Sequence, residues 1–440
     1  MCGSDLKFYR ANGGPSSLGL GGGDKPVIAG HEPCGTIVEI GSNVPKNLVY
    51  KGMRVMQHHY QGCGTCVHCS TGWQQLCDDG VKAVFGVTGH GAHAKYMRCP
   101  ISTIVPLRDD ISFIGGAAIS CGTGTAWGAL DRLDLRASQT IAIFGMGPVG
   151  LSAVMLAHRM GARVIALDTN SKRLGRSLEF GADVVINLSG RSINCRYTKK
   201  NRQQIYDSRE NSTQVVGEAI TQAKEPPRVW LNASAATIYR HSLDRDMDEA
   251  TGELQYVEPG RPKDKWEFSV DVVNRWEEAL FNADTSSTRR IAMRLSMVFG
   301  TGSGGVFEAF RKITRLGLSG TQGSGNQFVS WLHIEDFLRM VDWSIEDENI
   351  KGPINMCAPN PLPNREFLTG LRNACGVKLG LPAASWMLEI GAFFMRTETE
   401  LLLKSRRVVP GKLLESGFKF NHPKWPEAAQ SIESDWSKAL

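Results

Sequence analysis

No dense run of basic residues occurs anywhere in this 440-residue sequence. The net charge is +6 at pH 7, but the lysines and arginines are spread along the chain. That is the pattern of a solvated surface, not of a nucleic-acid footprint. The opening, "MCGSDLKFYR", is polar and lacks the apolar core of a secretory signal. Long hydrophobic runs are missing too. The best one, "GLPAASWMLEIGAFFM" at 380–395, is short and is interrupted by Pro382 and Glu389, which suits a buried helix better than a membrane span. These absences lead to the expectation of a cytoplasmic chain that acts on a small molecule, with no nucleic-acid or membrane partner. Assembly into a homo-oligomer stays open. What is present is ordinary for a soluble protein: 42% hydrophobic and 21% charged residues, in a chain long enough for two or three domains.

The eleven cysteines are unevenly placed. Four fall in "GCGTCVHCSTGWQQLC", at Cys63, Cys66, Cys69 and Cys77. Such spacing brings four thiolates within reach of one ion, and Gly62 and Gly64 let the loop fold around it. Zinc with four sulfur ligands is the expected occupant. A disulfide pair is the alternative, and a reducing cytoplasm disfavours it. A closed site of this kind stabilises a loop and does no chemistry. A second set is scattered: Cys2 in "CGSD", His31 and Glu32 in "GHEPCG", and Cys121 in "ISCGTGTAWG".

With the four-cysteine lobe between them, these residues resemble the zinc-dependent medium-chain alcohol dehydrogenases over roughly 1–188. The resemblance implies a small β-rich, GroES-like domain and a catalytic zinc on Cys2, His31 and Cys121, with Glu32 able to approach it. An open zinc site lowers the pKa of a bound alcohol and stabilises the alkoxide. Ser4 would pass the alcohol proton outward, and Asp5 would orient His31. Lys7 stands where the family often has a relay histidine. Cys2 follows the initiator Met, where the family usually has some thirty earlier residues, so the domain reads as N-terminally truncated.

"QTIAIFGMGPVGLSAVMLAHRMGARVIALD" carries a strand, a glycine loop, a helix and a second strand in order. Gly145, Gly147 and Gly150 form Gly-x-Gly-x-x-Gly, with Pro148 and Val149 opening the helix and Asp168 ending the second strand. This is the dinucleotide fingerprint: the glycines admit the pyrophosphate to a helix N-terminus, and the acid accepts from the ribose. Asp168 would repel a 2′-phosphate, so NAD is expected over NADP, with Lys172 and Arg173 tempering that preference.

From "VVINLSG" onward the sequence resembles a different family, the epimerase-like extended short-chain dehydrogenase/reductases with a C-terminal domain. The landmarks are "WLNASAATIYR", "FSVDVVNRWEEAL", "IAMRLSMVFG", "VSWLHIEDF", "GPINMCAPNPLPNREF" and "LLLKSRRVVPGKLLESGFKF". They run in family order over roughly 184–440, but that family's own first glycine loop is missing. The short-chain Tyr-x-x-x-Lys pair is absent as well: none of the eight tyrosines has a lysine four positions later. Ser234 and Tyr239 follow a strand end, where open α/β sheets place ligands, and are the catalytic candidates of this half. The polar tract 245–267 reads as a long loop.

The chain is therefore expected to be a hybrid α/β protein. The GroES-like zinc-binding domain would occupy 1–110, the dehydrogenase half of a composite Rossmann sheet 111–188, the epimerase-like half 189–340, and an α+β extension 341–440. The leading functional reading is a zinc-containing, NAD-dependent oxidoreductase of an alcohol or carbonyl. The alternatives are an epimerase-like NAD(P)-binding short-chain reductase with the zinc half as scaffold, and a non-catalytic, zinc-stabilised nucleotide-binding protein or fusion. Epimerase order predicts the sheet "RVIALD", "TIAIFG", "VVINLSG", "RVWLNAS", "IAMRLS". That order would put the dinucleotide's phosphates on the Gly145–Gly150 loop and its nicotinamide beside Ser234.

Overall fold

Residues 3–10, 26–302, 305–394 and 397–439 are described by the structure, a computed structural model. The chain divides into two units: Met1–Arg136 with Pro148–Met160, and Ala137–Gly147 with Gly161–Leu440.

The first unit is β-rich. Strands Cys34–Thr36, Arg54–Gln57 and Ile104–Pro106 form an antiparallel sheet with Arg54–Gln57 in the middle. Tyr60–Gln61 pairs with Ala83–Val84 and closes the base of the four-cysteine segment. Ser112 caps the helix Phe113–Ala118 by accepting from the Gly115 N–H at 3.1 Å. A π-helical turn, Ile119–Thr123, follows and carries Cys121. The helix Pro148–Arg159 also belongs to this unit, with its Ser152 hydroxyl 3.1 Å from that of Thr123.

The second unit is built on six parallel strands: β1 (Thr140–Phe144), β2 (Arg163–Asp168), β3 (Val184–Asn187), β4 (Val229–Ala235), β5 (Arg289–Leu295) and β6 (Gly352–Met356). Their order in the sheet is their order in the chain, from β1 at one edge to β6 at the other. The predicted order is therefore corrected. Val184–Asn187 pairs with Ile165–Asp168 on one side and with Val229–Asn232 on the other, and "TIAIF" is an edge strand. The reason is local. The Asp183 carboxylate accepts from the Val164 N–H at 2.8 Å, and the Asp183 N–H donates to the Val164 carbonyl at 3.0 Å. The Asp183 carbonyl in turn accepts from the Arg228 N–H at 3.0 Å. One residue thus pins the start of β3 between β2 and β4. The connection from β2 holds only a six-residue helix, α1 (Ser171–Arg176), and a four-residue turn, enough for a step to the adjacent position.

The order decides which surfaces are buried. From β2 to β5, right-handed crossovers that step in one direction place their helices on one face of the sheet. Accordingly α1, α2 (Lys199–Gln222) and α3 (Lys265–Phe281) lie side by side. Under them, Asn187 donates to Asn232 at 2.8 Å, and Trp276 of α3 donates to Thr213 of α2 at 3.1 Å. The N-cap of α3 is Asp264, which accepts from the N–H groups of Trp266 and Glu267, each at 2.8 Å. The polar tract 245–267 therefore ends three residues short of expectation, because Lys265 already starts a helix. On the other face, α4 (Ile334–Glu346) packs Met340, Val341 and Ile345 against Ile165, Ile186, Leu231, Met293 and Ile354. That cover stops short of β1. Ile143, on the helix-covered face, is buried, whereas Phe144, on the opposite face, is 78% exposed.

No helix among the described residues is long and apolar enough to cross a membrane. The segment around 380–395 forms the ten-residue helix α5 (Ser385–Phe394), but it is not the buried helix the sequence suggested: Trp386, Met387 and Ile390 are exposed. Its anchor is polar, Glu389 accepting from the Lys265 ammonium at 2.6 Å.

The strand order makes a prediction about adjacent residues of β1. Ile143→Ala should cost about 2 kcal/mol or more, the toll of a buried large-to-small change. Phe144→Ser should cost under about 1 kcal/mol, as for an exposed position. Urea unfolding of the two variants measures both, and a larger loss for Phe144→Ser would contradict the edge position of β1.

Candidate functional site

In the first unit the ligand atoms of Cys63, Cys66, Cys69 and Cys77 lie within 4.8 Å of one another. The backbone is wound to present donors to the sulfurs. Cys63 Sγ accepts from the N–H groups of Thr65 (3.4 Å) and Cys66 (3.3 Å), Cys66 Sγ from that of Cys69 (3.4 Å), and Cys77 Sγ from that of Cys63 (3.2 Å). The Thr65 hydroxyl, followed by these backbone donors, brings the Cys63 thiol down to about 6, toward the thiolate a metal takes. Gly62 leaves room for this winding, since a Cβ there would sit 2.3 Å from Cys69 Sγ. The donor set and its cradle fit a tetrahedral zinc.

Of the scattered set, Cys2 lies outside the described residues. Ser4 and Asp5 fall in the helix Gly3–Arg10. Asp5 is buried and its carboxylate meets His31 Nδ1 at 2.8 Å. His31 also lies edge-on to His59, with ring centroids 5.3 Å apart. His59 is held down to about 4 by burial first and by His31 and His58 next, so at neutral pH it is an uncharged imidazole. Its Nδ1 has no hydrogen-bond partner among the described residues. Sequence reasoning missed His59. The only signal for it is its place in "HHY" beside the cysteine lobe. Cys121 sits in the π-helical turn, a local distortion often found at functional positions.

In the second unit the carboxyl ends of the parallel strands share one edge. At the end of β1, Gly145 has a φ of +90°, which only glycine adopts without strain, and neither Gly145 nor Gly147 has a neighbour within 4 Å of where a Cβ would stand. Backbone open in this way fits a pyrophosphate. At the end of β2, the Asp168 carboxylate accepts from the N–H groups of Met146 and Asn170, both at 2.6 Å, and from Arg173 at 3.0 Å. Burial pushes the Asp168 pKa up, but the two backbone donors and Arg173 outweigh it and hold it below the usual range. Pro148, Val149 and Gly150 start the helix of the first unit.

Ser234 and Tyr239 are brought together, but as parts of a closed network. Ser234 donates to Glu277 at 2.6 Å, and Arg294 binds both oxygens of Glu277 at 2.8 Å. Arg294 also donates to the Tyr239 hydroxyl at 2.9 Å, and Tyr239 donates to Asn355 at 3.0 Å. All five side chains are buried. Burial raises the Tyr239 phenol above its ordinary value despite Arg294. Both hydroxyls are committed, and the network ties β4, β5 and β6 to α3. The composite site is corrected for a second reason as well. β2 and β3 lie between β1 and β4, three strand spacings or roughly 14 Å.

Just past β4 a different cluster forms, and sequence reasoning missed it because Thr237 is 163 to 169 residues from the members it touches. The Lys404 ammonium, 2% exposed, donates to the Thr237 carbonyl at 2.7 Å and approaches the Thr237 hydroxyl at 3.4 Å. That hydroxyl also contacts Glu400 and Arg406, each at 3.2 Å. Arg406 pairs with Glu400 Oε1. Glu400 Oε2 is buried with no hydrogen-bond partner among the described residues, and the buried Tyr197 hydroxyl lies beside Ser269. Burial, and then the charge of Arg406, bring the Lys404 amine down to about 7. Burial, and then Glu400, push the Tyr197 phenol up to about 12.

Comparison with known proteins agrees with this two-part construction. Residues 1–109 match the alcohol dehydrogenase GroES-like domain, 148–219 the zinc-binding dehydrogenase family, and 383–432 a domain of unknown function, DUF1731. The chain is 30% identical over 253 residues to the human epimerase family protein SDR39U1, across 57% of this chain and 82% of that protein. It is 36% identical over 187 residues to the uncharacterized zinc-type alcohol dehydrogenase-like protein YphC of Escherichia coli (strain K12). That match covers 41% of this chain and 51% of YphC, so the chain spans about half of that relative. The crystal structure of human epimerase family protein SDR39U1 (isoform 2) with NADPH aligns with a TM-score of 0.56 at 26% identity, across 68% of this chain and all of that one.

Two outcomes follow from the site geometry. Cys66→Ser should lose one tightly bound zinc and loosen its loop, with Gly145–Asp168 unaffected. Native mass spectrometry showing unchanged zinc would refute this. The second concerns pH. An amine lowered to about 7 when folded, against about 10.4 when unfolded, binds fewer protons in the native state between those values. Stability then rises with pH across that window, and the full cost of burying the charge is felt below pH 7. Lys404→Met should therefore stabilise by on the order of 3 kcal/mol at pH 6, with the gain fading by pH 10.5. Thermal unfolding at both pH values measures it, and a gain independent of pH would reject the assignment.

Proposed function

The chain belongs to the epimerase family over its C-terminal part, joined to a zinc-binding dehydrogenase beginning, and from that premise we propose an NAD(P)-dependent oxidoreductase that interconverts an alcohol and a carbonyl. The observation that carries the reading is the open Gly145–Gly147 backbone beside the Asp168 carboxylate, whose side chain is 3% exposed. Phosphates would take the free backbone at Gly145 and Gly147, and the adenosine ribose would donate to Asp168. With adenosine on the β2 side, the nicotinamide half runs the other way, off the free edge of β1. It does not run toward Ser234.

Arg173 partly neutralises Asp168 and is itself half-exposed, so the preference for NADH over NADPH is small. In the first unit, His31, Cys121 and Glu32, together with Cys2, would hold a zinc, with Asp5 orienting His31 and Ser4 passing the proton. When bound, zinc supplies Lewis-acid stabilisation of the alkoxide. The Asp5 carboxylate fixes the imidazole so that its other nitrogen is the one offered as ligand. Cys63, Cys66, Cys69 and Cys77 hold a separate, structural zinc.

Fluorescence titration with NADH and NADPH tests the cofactor assignment. NADH should bind a few-fold tighter, Asp168→Ala should close the gap, and Arg173→Ala should widen it. NADPH binding tighter to the parent would overturn the assignment. Zinc stoichiometry tests the metal assignment, with two ions per chain expected and one ion rejecting a catalytic zinc.

A further inference from the structure

The cluster beyond β4 is not used by the reaction above, since the nicotinamide is directed away from it. We propose that it is a separate carbonyl-binding site, in which Lys404 forms a reversible imine with a small hydroxy-aldehyde or hydroxy-ketone.

A buried lysine is ordinarily paired with a carboxylate. Lys404 makes no ion pair among the described residues: its partners are the carbonyl and hydroxyl of Thr237. The adjacent charges work on it in opposite directions. Arg406 opposes its protonation, whereas Glu400 on the same strap and Asp264, the cap of α3, favour it. His241, which accepts from the Ser405 N–H at 3.1 Å, is itself held down by burial first, then by Lys404, Arg240 and Arg406. Burial beside a second cation is the arrangement that keeps a lysine amine neutral and nucleophilic near pH 7. Burial first and Arg406 next bring the Lys404 amine down to about 7.

The second observation concerns oxygens. Glu400 is fully buried and its Oε2 has no partner among the described residues, while the buried Tyr197 hydroxyl lies beside Ser269. A buried carboxylate oxygen is rarely left orphaned, since that costs about 1–3 kcal/mol. Together the two groups offer an acceptor and a donor–acceptor to a ligand that brings hydroxyl groups. Thr237, which touches both Lys404 and Glu400, holds the amine and the carboxylate one hydroxyl apart. The cluster also lies at the carboxyl end of β4, where open parallel sheets hold ligands.

The step balances without an outside reagent. The neutral Lys404 nitrogen adds to the carbonyl carbon, and the π pair moves to oxygen, giving a carbinolamine. Glu400 Oε2 carries one proton from nitrogen to that oxygen and then the second, so that both N–H protons leave with the oxygen as water. The C=N bond forms as the C–O bond breaks, and nothing is oxidised or reduced.

The test uses the full chain with glyceraldehyde and cyanoborohydride at pH 7.5, with adducts mapped by peptide mass. Lys404 should be modified at least tenfold faster than the exposed lysines, which are ammonium at that pH. Its rate should rise through a midpoint near pH 7, and propanal, which has no hydroxyls, should react several-fold more slowly. Glu400→Gln should slow the labelling about tenfold, and Lys404→Arg should abolish it at this site. Lys404 left unmodified while exposed lysines react would overturn the proposal, as would equal labelling by glyceraldehyde and propanal. The result is independent of NADH binding, so the two readings fail separately.

Discussion

The structure depends on the double pairing of Val184–Asn187. This four-residue strand is bonded to Arg163–Asp168 on one side and to Val229–Ala235 on the other. Asp183 enforces it at the entry, with its carboxylate and N–H on Val164 and its carbonyl on Arg228. A dehydrogenase beginning and an epimerase continuation thus share one strand. The apolar core runs without a break across the join, from Ile165 through Val184, Ile186, Val229 and Leu231 to Ile291 and Met293. Continuous burial is what lets two incomplete halves close into one sheet.

The shared strand also dictates where ligands go. An open α/β sheet ordinarily reverses direction once, and the reversal creates both its ligand crevice and its second layer of helices. Among β1 to β5 there is no reversal. The glycine loop is carried to the sheet edge, Phe144 is left exposed, and β2 and β3 stand between the loop and β4. The dinucleotide elements and the epimerase strand ends remain on one edge of the sheet but serve different places along it. Ser234 and Tyr239, freed from a cofactor, are held with Glu277, Arg294 and Asn355 in a network that braces the strands. Taking either partner from the buried Arg294–Glu277 pair would leave an uncompensated charge, a loss of about 3–5 kcal/mol.

The C-terminal strap shows how a catalytic possibility arises from packing. Residues 397–408 cross the carboxyl edge, tied by Glu398 to the Tyr197 N–H, by Lys404 to Thr237 and by Ser405 to His241. Each contact joins the strap to a segment that directly follows β3 or β4. The strap seals polar side chains away from water, and in doing so it depresses the Lys404 amine and leaves Glu400 Oε2 with no partner among the described residues. The same desolvation that costs stability below pH 7 makes the amine reactive.

By itself, the sequence determined whatever rests on short range. The four-cysteine lobe was legible because its ligands span fifteen residues. The glycine loop, Asp168 and the identities of both halves were legible for the same reason: each is a local pattern of residue types. Tertiary structure alone decided the strand order, the closure of Ser234 and Tyr239 into a network, and the meeting of Tyr197, Thr237, Glu400 and Lys404. Strand pairing is chosen by which edges bury the most apolar surface and satisfy the most backbone groups together, and no window of sequence reports that sum. Burial, too, belongs to the assembled fold, and it is burial that turns an ordinary lysine into a neutral amine.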